Sequence, residues 1–286
     1  KPLFKVQLVG VKKQIKLNSG LYVVHPDLQL KDVKKTDLVI IPALVGDMAK
    51  AIEKNKNLLP WINKQYANGA EVVSLCVGAF LLASTGLLDH KKCSTHWAFQ
   101  NQFREMFPLV EVVEGSIITE DHRIYSSGGA NSYWNLLLHL VEKYTNRETA
   151  IMASKYFAID IDRDTQTAFA LFQGQKNHHD NEIKKIQTYI EKNFQDKHTV
   201  DALANKVALG RRSFERRFKH ATNNSVLEYI LRVKVEAAKR NFENSDKNIN
   251  EVMYTVGYND TKAFRSIFKK HTGLTPIEYK NKYSKN

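Results

Sequence analysis

Arg211-Arg212-Ser213-Phe214-Glu215-Arg216-Arg217-Phe218-Lys219-His220-Ala221 is answered fifty residues later by Thr261-Lys262-Ala263-Phe264-Arg265-Ser266-Ile267-Phe268-Lys269-Lys270-His271. Each stretch carries phenylalanines at i and i+4 followed by a lysine, which places both rings on one face of a helix. Each is preceded by a shorter helical pattern and a tight break. The first is Thr199-Val200-Asp201-Ala202-Leu203-Ala204-Asn205-Lys206-Val207, broken at Ala208-Leu209-Gly210. The second is Asn248-Ile249-Asn250-Glu251-Val252-Met253-Tyr254-Thr255-Val256, broken at Gly257-Tyr258-Asn259-Asp260. Thr199 suits an N-cap, and Asn248 with Glu251 has capping-box spacing. Two short helices around a tight turn make a helix-turn-helix, and its recurrence is an internal repeat. With the rings of the first unit turned inward, Arg212, Glu215, Arg216 and Lys219 are left on its outer face.

Working outward, Leu227 to Arg240 lies inside a helical stretch, Val226 to Phe242, between the two units. About 17 residues at roughly 1.5 Å each span about 25 Å. Successive major grooves on one face of DNA are about 34 Å apart, so such a helix can set two recognition helices near that separation. Ahead of the first unit, Ile183, Ile186, Ile190 and Phe194 fall on one helical face. Charge follows the same division. Residues 180–286 hold 22 Lys+Arg against 13 Asp+Glu, while residues 1–179 hold 21 against 17. Most of the net +13 therefore sits in the last third of the chain, which favours a polyanionic partner there.

These residues resemble the DNA-binding domain of the AraC/XylS family. Gly257-Tyr258, Phe264, Phe268-Lys269-Lys270, Gly273-Leu274-Thr275-Pro276 and Tyr279 follow its C-terminal pattern. Ala208, Gly210 and Lys280 depart from the family's usual turn glycine, serine cap and arginine. The resemblance implies double-stranded DNA as partner. Arg212, Glu215 and Arg216 would read one groove, with Thr261, Lys262, Arg265 and Ser266 at the next and Lys219 and Lys269 beside them. Arginine can be bidentate to guanine, whereas lysine mainly meets phosphate. Arg217 is expected to support the fold or a phosphate.

Residues 1–170 have a different texture, alternating apolar runs with helical patterns. Phe4–Val9, Leu38–Ile41 and Val72–Leu75 read as strands, Leu58–Ala67 and Tyr133–Glu142 as helices. That alternation implies an α/β domain with a parallel sheet covered by helices, whose ligands bind outside the carboxyl ends of the strands. At Ser74-Leu75-Cys76-Val77-Gly78-Ala79-Phe80 a strand gives way to a small-residue helix. A cysteine at such an elbow would face free helix amides, which favour a thiolate and lower its pKa. The plain alternative is a small buried hydrophobe.

Cys76-Val77-Gly78-Ala79-Phe80-Leu81-Leu82-Ala83, Thr85-Gly86-Leu87-Leu88 and Cys93-Ser94-Thr95-His96-Trp97 resemble the class I glutamine amidotransferase-like (PfpI-like) domain, of flavodoxin-like fold. His96 lies 20 residues after Cys76, where that superfamily sets a histidine beside its cysteine. Asn135–Val141 and Arg163-Asp164-Thr165-Gln166 fit the group found in GlxA-like regulators. Two departures weaken a hydrolase. Pro42-Ala43-Leu44-Val45-Gly46 stands where paired glycines usually offer oxyanion amides, and by the resemblance the sequence from Lys1 is expected to enter at the superfamily's second strand, after the strand–helix unit that normally carries its activating glutamate. Cys76 and His96 are thus vestigial catalytic candidates. The resemblance implies instead that Cys76, Val77, His96 and Trp97 contact a small-molecule effector, an amino acid or amine.

The expected organisation is a sensor domain over 1–170, a linker over 171–182, and a DNA-binding domain over 183–286 with turn units near 199–221 and 248–271. His178 and His179 in the linker have no partners at ligand spacing, so neither a metal nor a cofactor is expected. No apolar run reaches the roughly 20 residues of a membrane helix, and two cysteines fit a reducing compartment. The reading is a cytoplasmic bacterial transcription regulator and a homodimer. Activation, and with it RNA polymerase as a partner, follows from the resemblance alone. The rival is a cysteine-dependent amidase or deglycase fused to a DNA-binding domain.

Overall fold

The computed structural model describes residues 3–17, 20–161, 163, 165–172, 174–176 and 178–284. Lys1, Asp164, Gln173 and Asn177 lie outside the described residues. The chain divides into two compact units, Lys1–Gln166 and Thr167–Asn286.

The first unit begins with short pieces. β1 (Val9–Gly10) pairs in parallel with β4 (Leu28–Gln29), and β2 (Ile15–Leu17) pairs antiparallel with β3 (Tyr22–Val24). The expected strand over Phe4–Val9 is thus confined to its last residue. Val6 and Leu8 face solvent, while Val9 pairs with Leu28.

The main sheet has the order β5-β6-β10-β9. β5 (Leu38–Ile41), β6 (Glu71–Ser74) and β10 (Ile124–Ser127) are mutually parallel, with Val39 beside Val72 and Val73 beside Tyr125. β9 (Ile118–Asp121) closes the edge antiparallel to β10 through a two-residue turn, His122-Arg123, both at positive φ. α1 (Met48–Asn55) and α2 (Leu59–Ala67) connect β5 to β6, supplying the long crossover that parallel neighbours require. After β6 comes α3 (Ala79–Ala83), whose five residues are all buried. A helix apolar on every side can only sit inside a core. Phe80 meets Phe103 and Phe107 edge-to-face there, at 4.9 and 6.1 Å between ring centres. β7 (Lys92–Cys93) lies parallel to β8 (Glu111–Val112), with α4 (Gln100–Met106) between them. α5 (Tyr133–Tyr144) and α6 (Arg147–Phe157) form a closing helical hairpin, with Leu136 and Leu140 of α5 packed on Val73 and Tyr125.

The second unit is helical. α7 (Asn181–Lys192) precedes α8 (Val200–Asn205) and α9 (Arg211–Thr222), and α10 (Val226–Asn244) leads to α11 (Ile249–Thr255), α12 (Thr261–Thr272) and α13 (Pro276–Tyr283). It contains two cores strung on one helix. Tyr229, Ile230 and Val233 in the first half of α10 pack with Ile183, Ile186, Ile190, Phe214 and Phe218. Val235, Ala238 and Phe242 in its second half pack with Val252, Met253, Phe264, Phe268 and Tyr279. Burying a phenylalanine side chain contributes roughly 1.5–3 kcal/mol, so the four repeated rings anchor both lobes to this spine. At 19 residues, α10 is about 28 Å long.

Described residues of the segment expected as a linker pack within the second unit. Thr167–Phe169 forms a short 3-10 turn, and the residues after it are docked on the second unit. Lys239 Nζ donates to Ala170 O at 2.7 Å and to Glu236 Oε2 at 2.9 Å, while Phe172 N donates to Glu236 Oε2 at 3.2 Å. The Phe172 ring meets Tyr229 edge-on at 5.1 Å. Gln187 Nε2 donates to Gln175 O, and His178 Nε2 lies 2.9 Å from Gln187 Oε1. Hydrogen bonds to a helix face leave no periodic trace in a polar composition.

Candidate nucleic-acid interface and sensor elbow

The second helices of the two turn units match residue for residue in what they bury. In α9, Phe214 and Phe218 are buried while Arg212, Glu215, Arg216 and Lys219 are exposed. In α12, Phe264 and Phe268 are buried while Lys262, Arg265, Ser266 and Lys269 are exposed and Thr261 is half-buried. All nine expected DNA-facing residues therefore stand on two helices, none in a core. Their local ties differ. Glu215 lies 3.6 Å from Arg211, and Lys219 Nζ donates to Asn223 O at 3.0 Å, closing the end of α9. Arg217 is a support of the fold: its guanidinium donates to both Asp180 carboxylate oxygens, at 2.8 and 2.7 Å. That pairing holds the Asp180 carboxyl below the usual range, and Asp180 in turn caps α7.

The turns use one backbone device with different residues. Leu209 N donates to Ala204 O, and Tyr258 N to Met253 O, each at five-residue spacing. Ala208 and Gly257 precede those donors and share the left-handed region, at φ 50° and 75°. Only the second site excludes a side chain, because a Cβ on Gly257 would stand 2.1 Å from Gln195 O. The helix starts also differ. Asp260 accepts from Lys262 N and Ala263 N, whereas Gly210 offers α9 no side-chain cap. Thr199 caps α8, and the Asn248–Glu251 capping box forms in both directions.

In the first unit Cys76 occupies the turn between β6 and α3 with φ 54°. A non-glycine residue in that region is strained by about 1–3 kcal/mol and must be held by its surroundings. Here Cys76 N donates to Ser127 Oγ at 3.1 Å, and Thr95 Oγ1 donates to Cys76 O at 3.1 Å. Gly78 allows the chain after β5 to close over the elbow, since a Cβ there would lie 2.6 Å from Pro42 O. Of the two readings of this cysteine, its burial favours the small buried hydrophobe. Burial raises the Cys76 thiol pKa, and the Val77 amide offsets this only in part. Cys93 is fully buried and pushed up to about 12.

His96 and Trp97 are half-buried, with ring centres 5.3 Å apart. Burial lowers the His96 pKa, and its Nδ1 accepts from Ala98 N at 3.1 Å. Among the described residues no hydrogen bond joins His96 to Cys76. Val77 is buried in the core. Gln166 was a signal without a role in the sequence. Its Oε1 accepts from Trp97 N and Gly129 N at 3.2 and 2.8 Å, and its Nε2 donates to Thr95 O and Ser116 O at 3.0 and 3.1 Å. One buried amide thus ties the His96–Trp97 segment to the loop after β10. Ser127 was missed, because a serine ending a strand carries no pattern of its own. No group of His, Cys, Asp and Glu among the described residues could hold a metal ion, and no described helix is long and apolar enough to cross a membrane.

Residues 3–143 match the DJ-1/PfpI family, and residues 203–282 match the helix-turn-helix domain family. Three relatives from Pseudomonas aeruginosa span most of the chain. The HTH-type transcriptional regulator GbdR is 24% identical over 265 residues, covering 92% of this chain and 71% of that protein. The HTH-type transcriptional regulator ArgR is 26% identical over 220 residues, covering 76% and 67%, and the HTH-type transcriptional regulator CdhR is 23% identical over 259 residues, covering 89% and 75%. Fold, site and relatives define a DNA-binding transcription regulator with a fused sensor domain. In the chain the DJ-1/PfpI match precedes the helix-turn-helix match.

Proposed function

We propose that this regulator reads two successive major grooves with α9 and α12 and is controlled by a small molecule held without turnover at the Cys76 elbow. What carries the reading is the repetition itself: two helices with the same buried ring pair and an exposed polar, basic face, strung on α10. Arg212, Glu215 and Arg216 address bases in one groove, and Thr261, Lys262, Arg265 and Ser266 those in the next. Lys219 and Lys269 meet phosphate.

At the elbow, a thiol kept protonated and unpaired with His96 is a poor nucleophile, which favours binding over hydrolysis. Because His96 Nδ1 accepts a backbone amide, its neutral ring presents Nε2–H as a donor, suited to a carboxylate oxygen. The Trp97 face beside it suits an ammonium group. Cys76, Val77, His96 and Trp97 together fit an amino acid or amine. The effector acts by differential affinity for two arrangements of the DNA-binding domains. The protein works as a cytoplasmic homodimer on paired sites and activates by contact with RNA polymerase.

The test is selection of fragments from the host genome by the full-length protein at two salt concentrations. Specific sites with two boxes about one helical turn apart, retained at the higher salt, are expected. Random fragments that vanish with salt would reduce the second unit to a charge-driven binder.

A further inference from the structure

Residues 167–176 open the second unit, and those described touch both of its lobes in turn. The earlier part lies on the second lobe. The turn Thr167–Phe169 rests against α12, Lys282 Nζ of α13 stands 5.3 Å from the centre of the Phe169 ring, and Lys239 Nζ holds Ala170 O. The later part lies on the first lobe. Phe172 meets Tyr229 edge-on, and its ring centre is 5.8 Å from the Arg232 guanidinium. Gln175 O accepts from Gln187 of α7, Asn224 Nδ2 just past α9 donates to Gln175 Oε1 at 3.1 Å, and Lys176 pairs with Glu191 of α7. Glu236 joins the two parts, because its Oε2 accepts both Phe172 N and Lys239 Nζ. A buried ion pair costs desolvation that an apolar pair would avoid, and fixing one arrangement of the chain is its best-attested use. Gly174 shows how closely this strap approaches: at φ 65°, a Cβ there would lie 2.3 Å from the Tyr229 hydroxyl.

We propose that this strap fixes the attitude of α9 relative to α12 and so sets the spacing between DNA boxes that the protein accepts, with Phe172 and Gly174 as positioning residues. The inference rests on the two-groove reading above and names what determines its spacing. Each lobe closes around its own core, and α10 supplies residues to both. A helix of its length curves with whatever packs on it, so the spine alone leaves the lobes adjustable. The lobes also meet where Lys234 Nζ donates to Gly257 O at 3.4 Å and Gly257 presses on Gln195 O. At about 100° per residue, Lys234 stands about 140° around α10 from Tyr229 and Lys239, and about 160° from Glu236. The strap therefore grips the face of the spine opposite that contact, and the two together clasp α10 from both sides. A cavity of about 250 Å³ stays open beneath the strap, lined by Phe172, Gly174, Glu191, Val233 and Glu236, so lifting the strap away empties no packed core. On DNA, one base pair added between boxes shifts the second by about 3.4 Å and turns it by about 35°. A rigid pair of recognition helices loses one box after such a shift, whereas a hinged pair follows it.

The experiment measures the affinity of the full-length protein for a selected operator, for copies with one base pair added or removed between the boxes, and for a copy keeping a single box. The wild type should lose roughly tenfold or more when the spacer changes, as when one base contact is lost. Gly174→Ala, which drives the strap off Tyr229, and Phe172→Ala should each reduce that penalty to about threefold or less. Their single-box affinity and melting temperature should stay close to those of the wild type. Phe172→Leu, which keeps an apolar side chain on Tyr229, should retain the spacing preference. Both alanine variants showing the wild-type spacing profile would overturn the proposal. Loss of single-box binding together with the spacing preference would also overturn it, since the strap would then only support the fold. A wild type indifferent to spacing would overturn the two-groove reading and the proposal with it, and that failure is told apart because it appears before any substitution is made.

Discussion

Gly257→Ala and Ala208→Gly should move stability in opposite directions, although they alter equivalent turn positions. At Gly257 the new methyl would lie 2.1 Å from Gln195 O and 2.9 Å from both Gln195 C and Lys234 Nζ. The lysine end could swing away, but the carbonyl belongs to the backbone leading into α8. Holding alanine at φ 75° costs roughly 1–2 kcal/mol, and forcing an overpacked backbone apart about 1–3 more, for a total of about 2–5 kcal/mol. At roughly 4 °C per kcal/mol, the transition of the second unit should fall by about 8–20 °C. Ala208 already bears the left-handed strain at φ 50°, so glycine there removes about 1–2 kcal/mol of it. Glycine's greater freedom in the unfolded chain returns about 0.5–1 kcal/mol, leaving a rise of up to about 4–6 °C. Scanning calorimetry of the full-length variants separates the two units' transitions, and binding to a selected operator reports whether the second lobe keeps its shape. A Gly257→Ala transition within 2 °C of wild type would refute the argument, because the steric barrier would then be absent. So would stabilisation by both substitutions.

Iodoacetamide should modify Cys76 slowly at pH 7, with the rate climbing only above the ordinary thiol range; an inflection below pH 7 would reinstate an activated nucleophile. Because burial raises the Cys76 and Cys93 pKa values above those of the unfolded chain, both thiols stay neutral in the fold through pH 8. Their ionisation should erode stability only above the unfolded thiol range, as melts from pH 7 to 10 would register. Lys239→Met leaves Glu236 buried without its partner, the two side chains being 4% and 9% exposed. It should cost about 3–5 kcal/mol and open the segment around Ala170–Phe172 to proteolysis; unchanged protection there would show that the ion pair does not hold it. Arg216→Ala should cost about 1–3 kcal/mol and relax preference at one base position, whereas Lys269→Ala should weaken all sequences alike and reduce the salt slope by about one. Competition binding at several salt concentrations would expose the reverse pattern.

The second unit was legible in the sequence because its determinants are local. The Phe214/Phe218 and Phe264/Phe268 pairs, the Thr199 cap and the Asn248–Glu251 box are set by spacings of three or four residues, and helical geometry converts them directly into faces and ends. The strand–helix alternation and the elbow at Cys76 were legible for the same reason, since a change of hydrophobic period marks where a strand becomes a helix. Phe4–Val9 misled because alternation and apolarity suggest a strand without supplying a partner for it.

What the tertiary structure alone decided depends on groups far apart in the chain. Burial in a core assembled from residues 39 to 124 pushes the Cys76 thiol pKa up, and the Val77 amide offsets this only in part. Ser127 and Gln166 join the site from 51 and 69 residues away from their partners Cys76 and Trp97. The segment after Phe169 is fastened by Glu236 and Lys239, more than sixty residues on. Desolvation and hydrogen bonding act through space over a few ångströms, and which residues fall within that distance is settled only when the sheet and the helical lobes have closed.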